Sequence, residues 1–236
     1  MSEWKAKRFW KTANAQSIEG GFGIFLDDRP VKTPAKASLV VPTHALATEI
    51  AREWDAQDEK IDPTTMPVTR AANAAIDKVT KDFVAVVEMI AEYGGSDLLC
   101  YRASDPSELI ARQAAAWDPL LDWAAEEFGG RLAIGHGVMH VTQDPALLST
   151  LREGVADLSA FSLTGFYDLV QISGSLILAF AVIRGRIDPV DAWLTSRIDE
   201  DWQIEQWGHD DEADAMSAVK QSAFLDAARF YQLTND

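Results

Sequence analysis

The fifteen residues LVQISGSLILAFAVI, positions 169–183, decide how the chain is read, because no charged side chain interrupts them between Asp168 and Arg184. A helix over them is apolar nearly all round. That suits the middle of a bundle, since a surface helix keeps only one apolar stripe. A membrane span is the competing reading. At about 1.5 Å per residue the stretch reaches only about 22 Å against a hydrocarbon core of about 30 Å, and Gln171, Ser173 and Ser175 interrupt it. The buried helix is therefore expected, with Ser173, Gly174 and Ser175 as a point where a neighbouring helix crosses closely.

Downstream, Asp188-Pro189 predicts a helix in which Val190, Leu194, Ile198 and Trp202 form an i+4 row, finishing near Trp207-Gly208. Asp210 or Asp211 starts the last helix, with Met216, Val219, Ala223, Ala227 and Phe230 inward. Upstream, Asp144-Pro145 opens a helix burying Leu147, Leu148, Leu151, Val155 and Leu158. Asp105-Pro106-Ser107-Glu108 reads as a capping box with proline first in the helix, and Asp118-Pro119 as the start of another helix that ends at Gly129-Gly130. Between them, residues 132–141 (LAIGHGVMHV) predict a two-stranded hairpin. His136 and His140 stand four apart there, but Gly135 and Gly137 oppose a helix and no Glu lies between the histidines, so a metal pair is not expected.

Nearer the N-terminus the pattern changes period. Residues 7–41 come in short apolar runs broken by Gly20-Gly21, Asp27-Asp28, Pro30 and Pro34, the pattern of strands and turns. FGIFL followed by DDRPV predicts a hairpin turning at Asp27 and Asp28. Gly20-Gly21-Phe22-Gly23 lacks the Lys-Ser/Thr of a phosphate loop. Thr43 is a good N-cap for a helix carrying Leu46, Ile50 and Trp54 on one face. Residues 57–67 read as a connector, and from Thr69 the pattern is helical, with Val79, Phe83, Val86, Val87 and Ile90 in line until Gly94-Gly95. The expected class is α+β: a small β-rich N-terminal domain with one helix over 1–62, then a larger, mainly α-helical domain over 63–236.

A chain of 236 residues that is 47% hydrophobic can build one large core or two modest ones. A single cysteine, Cys100, excludes an internal disulfide and fits a reducing compartment. It lies between Leu99 and Tyr101, the setting of an inert buried thiol. MSEWKAKRFWKT has no apolar signal core, which predicts a cytoplasmic protein. The net charge of −16 is uneven: residues 1–80 hold eleven basic and eleven acidic side chains, and residues 81–236 hold ten basic and twenty-six acidic. Such a field repels nucleic acid and anionic membranes and steers in a basic or mixed-charge protein.

Polar chemistry concentrates in residues 199–214, DEDWQIEQWGHDDEAD, with eight carboxylates and no Lys or Arg. The spacing, His209 included, matches neither an EF-hand loop nor a His-x-x-x-His pair. Glu200 and Glu205 would do acid/base work only if a pocket raised one of them. Part of the run serves the start of the last helix, where carboxylates are favoured. Trp202 and Trp207 among carboxylates also offer apolar anchors inside a negative rim, which suits a protein partner. No nucleophile elbow is present, and His44, His136, His140 and His209 lie in unrelated contexts. No catalytic residue, cofactor or metal site is expected.

The run Trp54-Asp55-Ala56-Gln57, Ile61-Asp62-Pro63, Met66-Pro67-Val68-Thr69, Asn73 and Ala75-Ile76-Asp77 resembles the assembly chaperones of the ATP synthase F1 sector found in mitochondria and α-proteobacteria. The likeness continues through Arg8-Phe9, Gly21-Phe22, Arg29-Pro30-Val31, Asp97-Leu98, Tyr101-Arg102, Trp117-Asp118-Pro119, Gly174-Ser175-Leu176, Asp199-Glu200, Trp202-Gln203, Glu205 and Trp207-Gly208. It thus spans nearly the whole chain, and without a transit peptide the chain looks like the bacterial form. The resemblance implies a β-rich domain followed by a helical one. It also implies a non-enzymatic role: holding the free F1 α subunit before it meets β, with no nucleic acid, membrane insertion or small-molecule substrate. The acidic late segment is carried over as the partner-binding region, with Asp199, Glu200, Trp202, Glu205, Trp207 and Glu212 as candidates. The alternatives are a metal-dependent hydrolase using residues 199–214 and a protein-binding adaptor unrelated to ATP synthase.

Overall fold

Turn chemistry shapes the N-terminal sheet. Strand β1 (Ala13–Ile18) turns at Gly20, whose φ of 85° lies in the left-handed region, into β2 (Gly21–Leu26). A Cβ on Gly21 would stand 2.4 Å from the Val41 carbonyl oxygen, so the second glycine permits a close backbone approach. The chain then turns through Asp27 and Asp28 into β3 (Arg29–Pro30), the expected hairpin. The Asp27 carboxylate accepts from the Thr12 and Lys11 N–H groups, both at 3.0 Å, and these bonds hold its pKa low. β4 (Val40–Val41) pairs with Phe22 and Gly23, completing a four-stranded antiparallel sheet with β1 at one edge.

This is a computed structural model describing residues 7–137 and 139–235. The chain divides into two units. The first comprises the described residues up to Phe83, Ser159–Gly165, and those from Arg229 onward. In it, α1 (His44–Asp55) begins at Thr43, whose Oγ1 accepts from the Leu46 N–H at 3.1 Å, as expected. Leu46, Ala47 and Ile50 are buried in one core with Trp10, Ile24, Leu26, Val31, Leu39 and Val41. Phe161 and Phe230, more than 100 residues downstream of that sheet, pack in the same core.

Glu53 on α1 is buried, and its carboxylate accepts from the Val68 and Thr69 N–H groups at 2.7 Å each and from the Thr69 hydroxyl at 2.6 Å. It thereby caps α2 (Pro67–Ala74), which supplies no side-chain cap of its own. Burial pushes the Glu53 carboxyl upward against these bonds. Glu53→Ala leaves two buried N–H donors unmet and should cost about 2–4 kcal/mol, read by urea denaturation. Glu53→Gln, keeping one acceptor oxygen, should cost less.

The second unit, Val84–Leu158 and Phe166–Ala228, is mainly helical. α3 (Phe83–Ala91) leads through tight turns to β5 (Tyr101–Arg102) and then α4 (Ser107–Phe128). Pro106 sits at the cap position without a side-chain bond, and Pro119 lies inside α4, so the expected capping box and restart are both corrected to one continuous helix. Proline removes one backbone bond there. The burial of Leu109, Gln113, Trp117, Leu120, Leu121, Ala124 and Phe128 along the whole length explains why the helix continues.

Residues 132–141 do not form the expected hairpin among the described residues; Val138 lies outside them. Instead β6 (Gly135–His136) pairs parallel with β5. The Gln143 side chain supplies the bonds a second strand would give, accepting from the Ala133 N–H at 2.7 Å and donating to the Ala133 carbonyl at 3.0 Å. α5 (Pro145–Ala156) follows, capped by Asp144 as expected.

The apolar stretch at 169–183 is two helices, which corrects the single helix expected. α6 (Ala160–Ser173) ends at Gly174, φ 72°, and α7 (Leu176–Ile183) starts afresh with Ser175 as its N-cap. The cause lies outside the stretch. Asp97, fully buried, accepts from the Ser175 hydroxyl at 2.8 Å, the Ile177 N–H at 3.0 Å and the Leu99 N–H at 3.0 Å. Burial of α7 itself is as expected: Leu176, Ile177, Leu178, Ala179, Phe180 and Ala181 are all buried. Phe180 meets the Phe166 and Phe128 rings at 4.8 Å centroid distance each. Among the described residues no helix is long and apolar enough to cross a membrane.

α8 (Pro189–Ser196) and α9 (Ile198–Trp207) replace the single helix expected from Asp188. Of the expected i+4 row, Ile198 is buried and Trp202 half-buried but Val190 and Leu194 are exposed, while Ala192, Trp193 and Ser196 supply the inner face of α8. α10 (Asp211–Leu233) likewise turns Met216, Val219 and Ala223 outward and buries Phe224, Ala227, Ala228 and Phe230.

Candidate functional site

Five of the six expected partner-binding residues ride on α9, and the sixth, Glu212, lies in the first turn of α10. Asp199 is tied inward: its carboxylate accepts from the Gln113 side chain on α4 at 2.5 Å. Glu200 pairs with Arg197 one turn earlier at 2.7 Å. Glu205 receives both guanidinium nitrogens of Arg112, also on α4, at 2.7 and 2.9 Å. The same guanidinium stacks on Trp202, 5.0 Å from the ring centroid. The Arg112 hydrogen bonds hold the Glu205 carboxyl below its ordinary range, while burial, and then the nearby Glu205 charge, push Asp201 up.

A different condition holds beyond Glu205. Trp207 ends α9 with 80% of its surface exposed. Gly208, φ 91°, then redirects the chain to Asp210, whose carboxylate accepts from the Glu212 and Ala213 N–H groups and starts α10. His209 and Asp214 pair at 2.8 Å across this start. From residue 211 to residue 223 no α10 side chain is buried, and Met216 and Val219 are 57% and 65% exposed. Apolar anchors thus stand in water beside Asp210, Asp211, Glu212 and Asp214.

The acidic segment therefore has two parts. Asp199, Trp202 and Glu205 are bound into the second unit by α4; Trp207 and Glu212 present themselves outward. Arg112 and Gln113 were not anticipated as contributors, because they lie 93 and 86 residues from Glu205 and Asp199 and no local pattern links them. Burial pushes the Cys100 thiol up to about 12. His136 lies 3.3 Å from the Ala103 carbonyl and His140 lies 3.4 Å from the Tyr101 hydroxyl. Among the described residues no three His, Cys, Asp or Glu side chains gather as a metal-binding set.

Comparison with known proteins gives one consistent picture. The family model described as ATP12 chaperone protein matches residues 7–125. Protein atp12, mitochondrial, of Schizosaccharomyces pombe is 25% identical over 215 residues, covering 86% of this chain and 74% of its own. The crystal structure of Atp12 from Paracoccus denitrificans is similar at 53% identity with a TM-score of 0.95, covering 98% of this chain and all of that one. The Atu1473 protein of Agrobacterium tumefaciens is 41% identical with a TM-score of 0.92, covering 96% of this chain and 85% of its own.

Proposed function

The chain belongs to the ATP12 chaperone family, the ATP synthase assembly chaperones, and we propose that it binds the free F1 α subunit and prevents its misassociation until β arrives. It acts without catalysis, in the bacterial cytoplasm. The observation that carries the binding surface is the outward exposure of Trp207, Met216 and Val219 along a segment rich in carboxylates. An unassembled subunit exposes apolar interface that would aggregate. A holder needs apolar anchors to cover it and a charged exterior to stay soluble. Glu200, Glu212 and the carboxylates around them steer a partner with basic groups at its rim.

Size-exclusion chromatography of the chain with isolated α subunit, and with β as control, tests the role. A complex with α and none with β is expected. Charge reversal of Glu205 and Glu212 together should weaken that complex by at least about tenfold, a loss of about 1.4 kcal/mol. The Glu212→Lys single variant separates binding from folding, because Glu205 also holds Arg112 whereas Glu212 is exposed. Unchanged α binding by the double variant, with its circular dichroism intact, would remove the acidic segment from the interface.

A further inference from the structure

The first unit carries a second surface with the features of a docking site. β1 pairs with β2 along one side, and among the described residues no strand lies along the other. Exposed edges are usually blunted by charges, prolines or bulges. The β1 sequence, ANAQSI, has no charged residue, proline or glycine. The direction of its backbone groups follows from the ladder. The Asp27 N–H donates to the Thr12 carbonyl at 2.9 Å, and the Ile24 carbonyl, opposite Ala15, is turned to the Val31 N–H at 2.8 Å on the far side of β2. Antiparallel pairs alternate, so Asn14 and Gln16 bond toward β2 while Ala13, Ala15 and Ser17 point their N–H and C=O groups outward.

A cleft of about 230 Å³ opens along that edge. Ala13 and Ala15 line one wall, and His44, Thr48, Ala51 and Arg52 of α1 line the other. His44, Thr48 and Arg52 recur every four residues, which places them on one flank of the helix. Small side chains leave room for a further strand between helix and sheet edge. The charged residues lining the cleft are Arg52 and Asp55, and with their partners Arg8, Glu49 and Arg229 the set holds three guanidiniums against two carboxylates, although the chain carries −16 overall. Glu49 lies between Arg52 at 3.2 Å and Arg229 at 2.7 Å, one carboxylate against two guanidiniums. Asp55 is already held by Arg8 at 3.0 Å. Arg52 keeps 73% of its side chain exposed.

We propose that this cleft takes an extended, acidic segment of a client polypeptide, which adds to β1 as a further strand. The outward groups of Ala13 and Ala15 match the alternating donors and acceptors of a polypeptide backbone, the recognition mode of strand addition. A carboxylate on the added strand pairs with Arg52. The surface is opposite in charge to the strip around Trp207, and the inference does not rest on the role proposed for that strip.

Fluorescence anisotropy with the full chain tests it. The probe is a labelled peptide of about ten residues, alternating Val and Thr with two Glu. Saturable binding is expected. It should weaken at least about tenfold when alternate peptide nitrogens are methylated, when Lys replaces Glu in the peptide, and in Arg52→Glu. Ala15→Pro should abolish it, because proline removes an N–H that faces away from β2 and so breaks no ladder bond. Near-UV circular dichroism reports whether that variant keeps its fold, and if it does not, the methylated peptide on the unaltered protein decides. Equal binding of methylated and parent peptides would overturn strand addition. So would the absence of binding up to about 1 mM peptide. If sedimentation shows self-association that Ala15→Pro abolishes, the occupant is a second copy of the chain and the peptide proposal falls.

Discussion

Asp97→Ala should destabilise the chain by about 3–5 kcal/mol, because several buried donors depend on one carboxylate. Its oxygens accept from the Leu99 N–H, the Ser175 hydroxyl and the Ile177 N–H, all within 3.0 Å and away from water. The first of these bonds caps the tight turn at 98–100, and the other two fix the start of α7. Alanine leaves each donor desolvated and unpaired. Asp97→Asn retains one acceptor oxygen and should lose roughly half as much.

The pH dependence of that residue has a definite sign. Burial pushes its carboxyl from 3.8 up to about 6, against the hydrogen bonds that favour the charged form. Between those values the folded chain holds a proton that the unfolded chain releases. The contribution of Asp97 therefore rises as pH falls from about 6 toward about 4, and is lost as pH rises through about 6. Urea denaturation of the parent and Asp97→Asn at pH 4.5 to 7.5 isolates it, since other groups cancel in the difference. The gap between the two should widen toward acid pH in favour of the parent. A constant gap would mean the carboxyl titrates in its ordinary range.

Trp207→Ala separates binding from folding. With 80% of its surface in water, the side chain gives the fold little, and stability should change by no more than about 0.5 kcal/mol. If the strip receives the α subunit, loss of an aromatic anchor should weaken the complex about 30-fold, equivalent to about 2 kcal/mol. Trp202 offers the contrast, because its ring lies under Arg112 and is only partly exposed. Trp202→Ala should lower stability as well as binding. Isothermal titration of both variants with isolated α subunit reads the difference, and undiminished affinity in Trp207→Ala would place the interface elsewhere.

Much was legible where the signal is local. Thr43, Asp144, Asp188 and Asp210 each accept from a backbone N–H just ahead, so the helix starts they mark appear in order. The glycine and aspartate turns of the sheet follow from positive φ at Gly20 and Asp27. The acidic segment was visible as composition, but its division into held and outward parts was not. That division depends on Arg112 and Gln113, brought to α9 by the packing of α4.

What the sequence by itself determined is the order of β-rich and helical parts, the buried character of residues 169–183 and the placement of most helix starts. These follow from side-chain period and from bonds between residues a few positions apart. The tertiary structure decided the rest. The apolar run breaks at Gly174 because a carboxylate 80 residues away from Ile177 claims the backbone there. Gly135 pairs with Tyr101 because Gln143 bonds to Ala133 in place of a hairpin partner. Residues 159–165 and those from Arg229 on belong to the first unit because Phe161 and Phe230 fill the core under its sheet. Apolar periodicity tells that a side chain seeks burial; which core receives it depends on contacts that close only when distant segments meet.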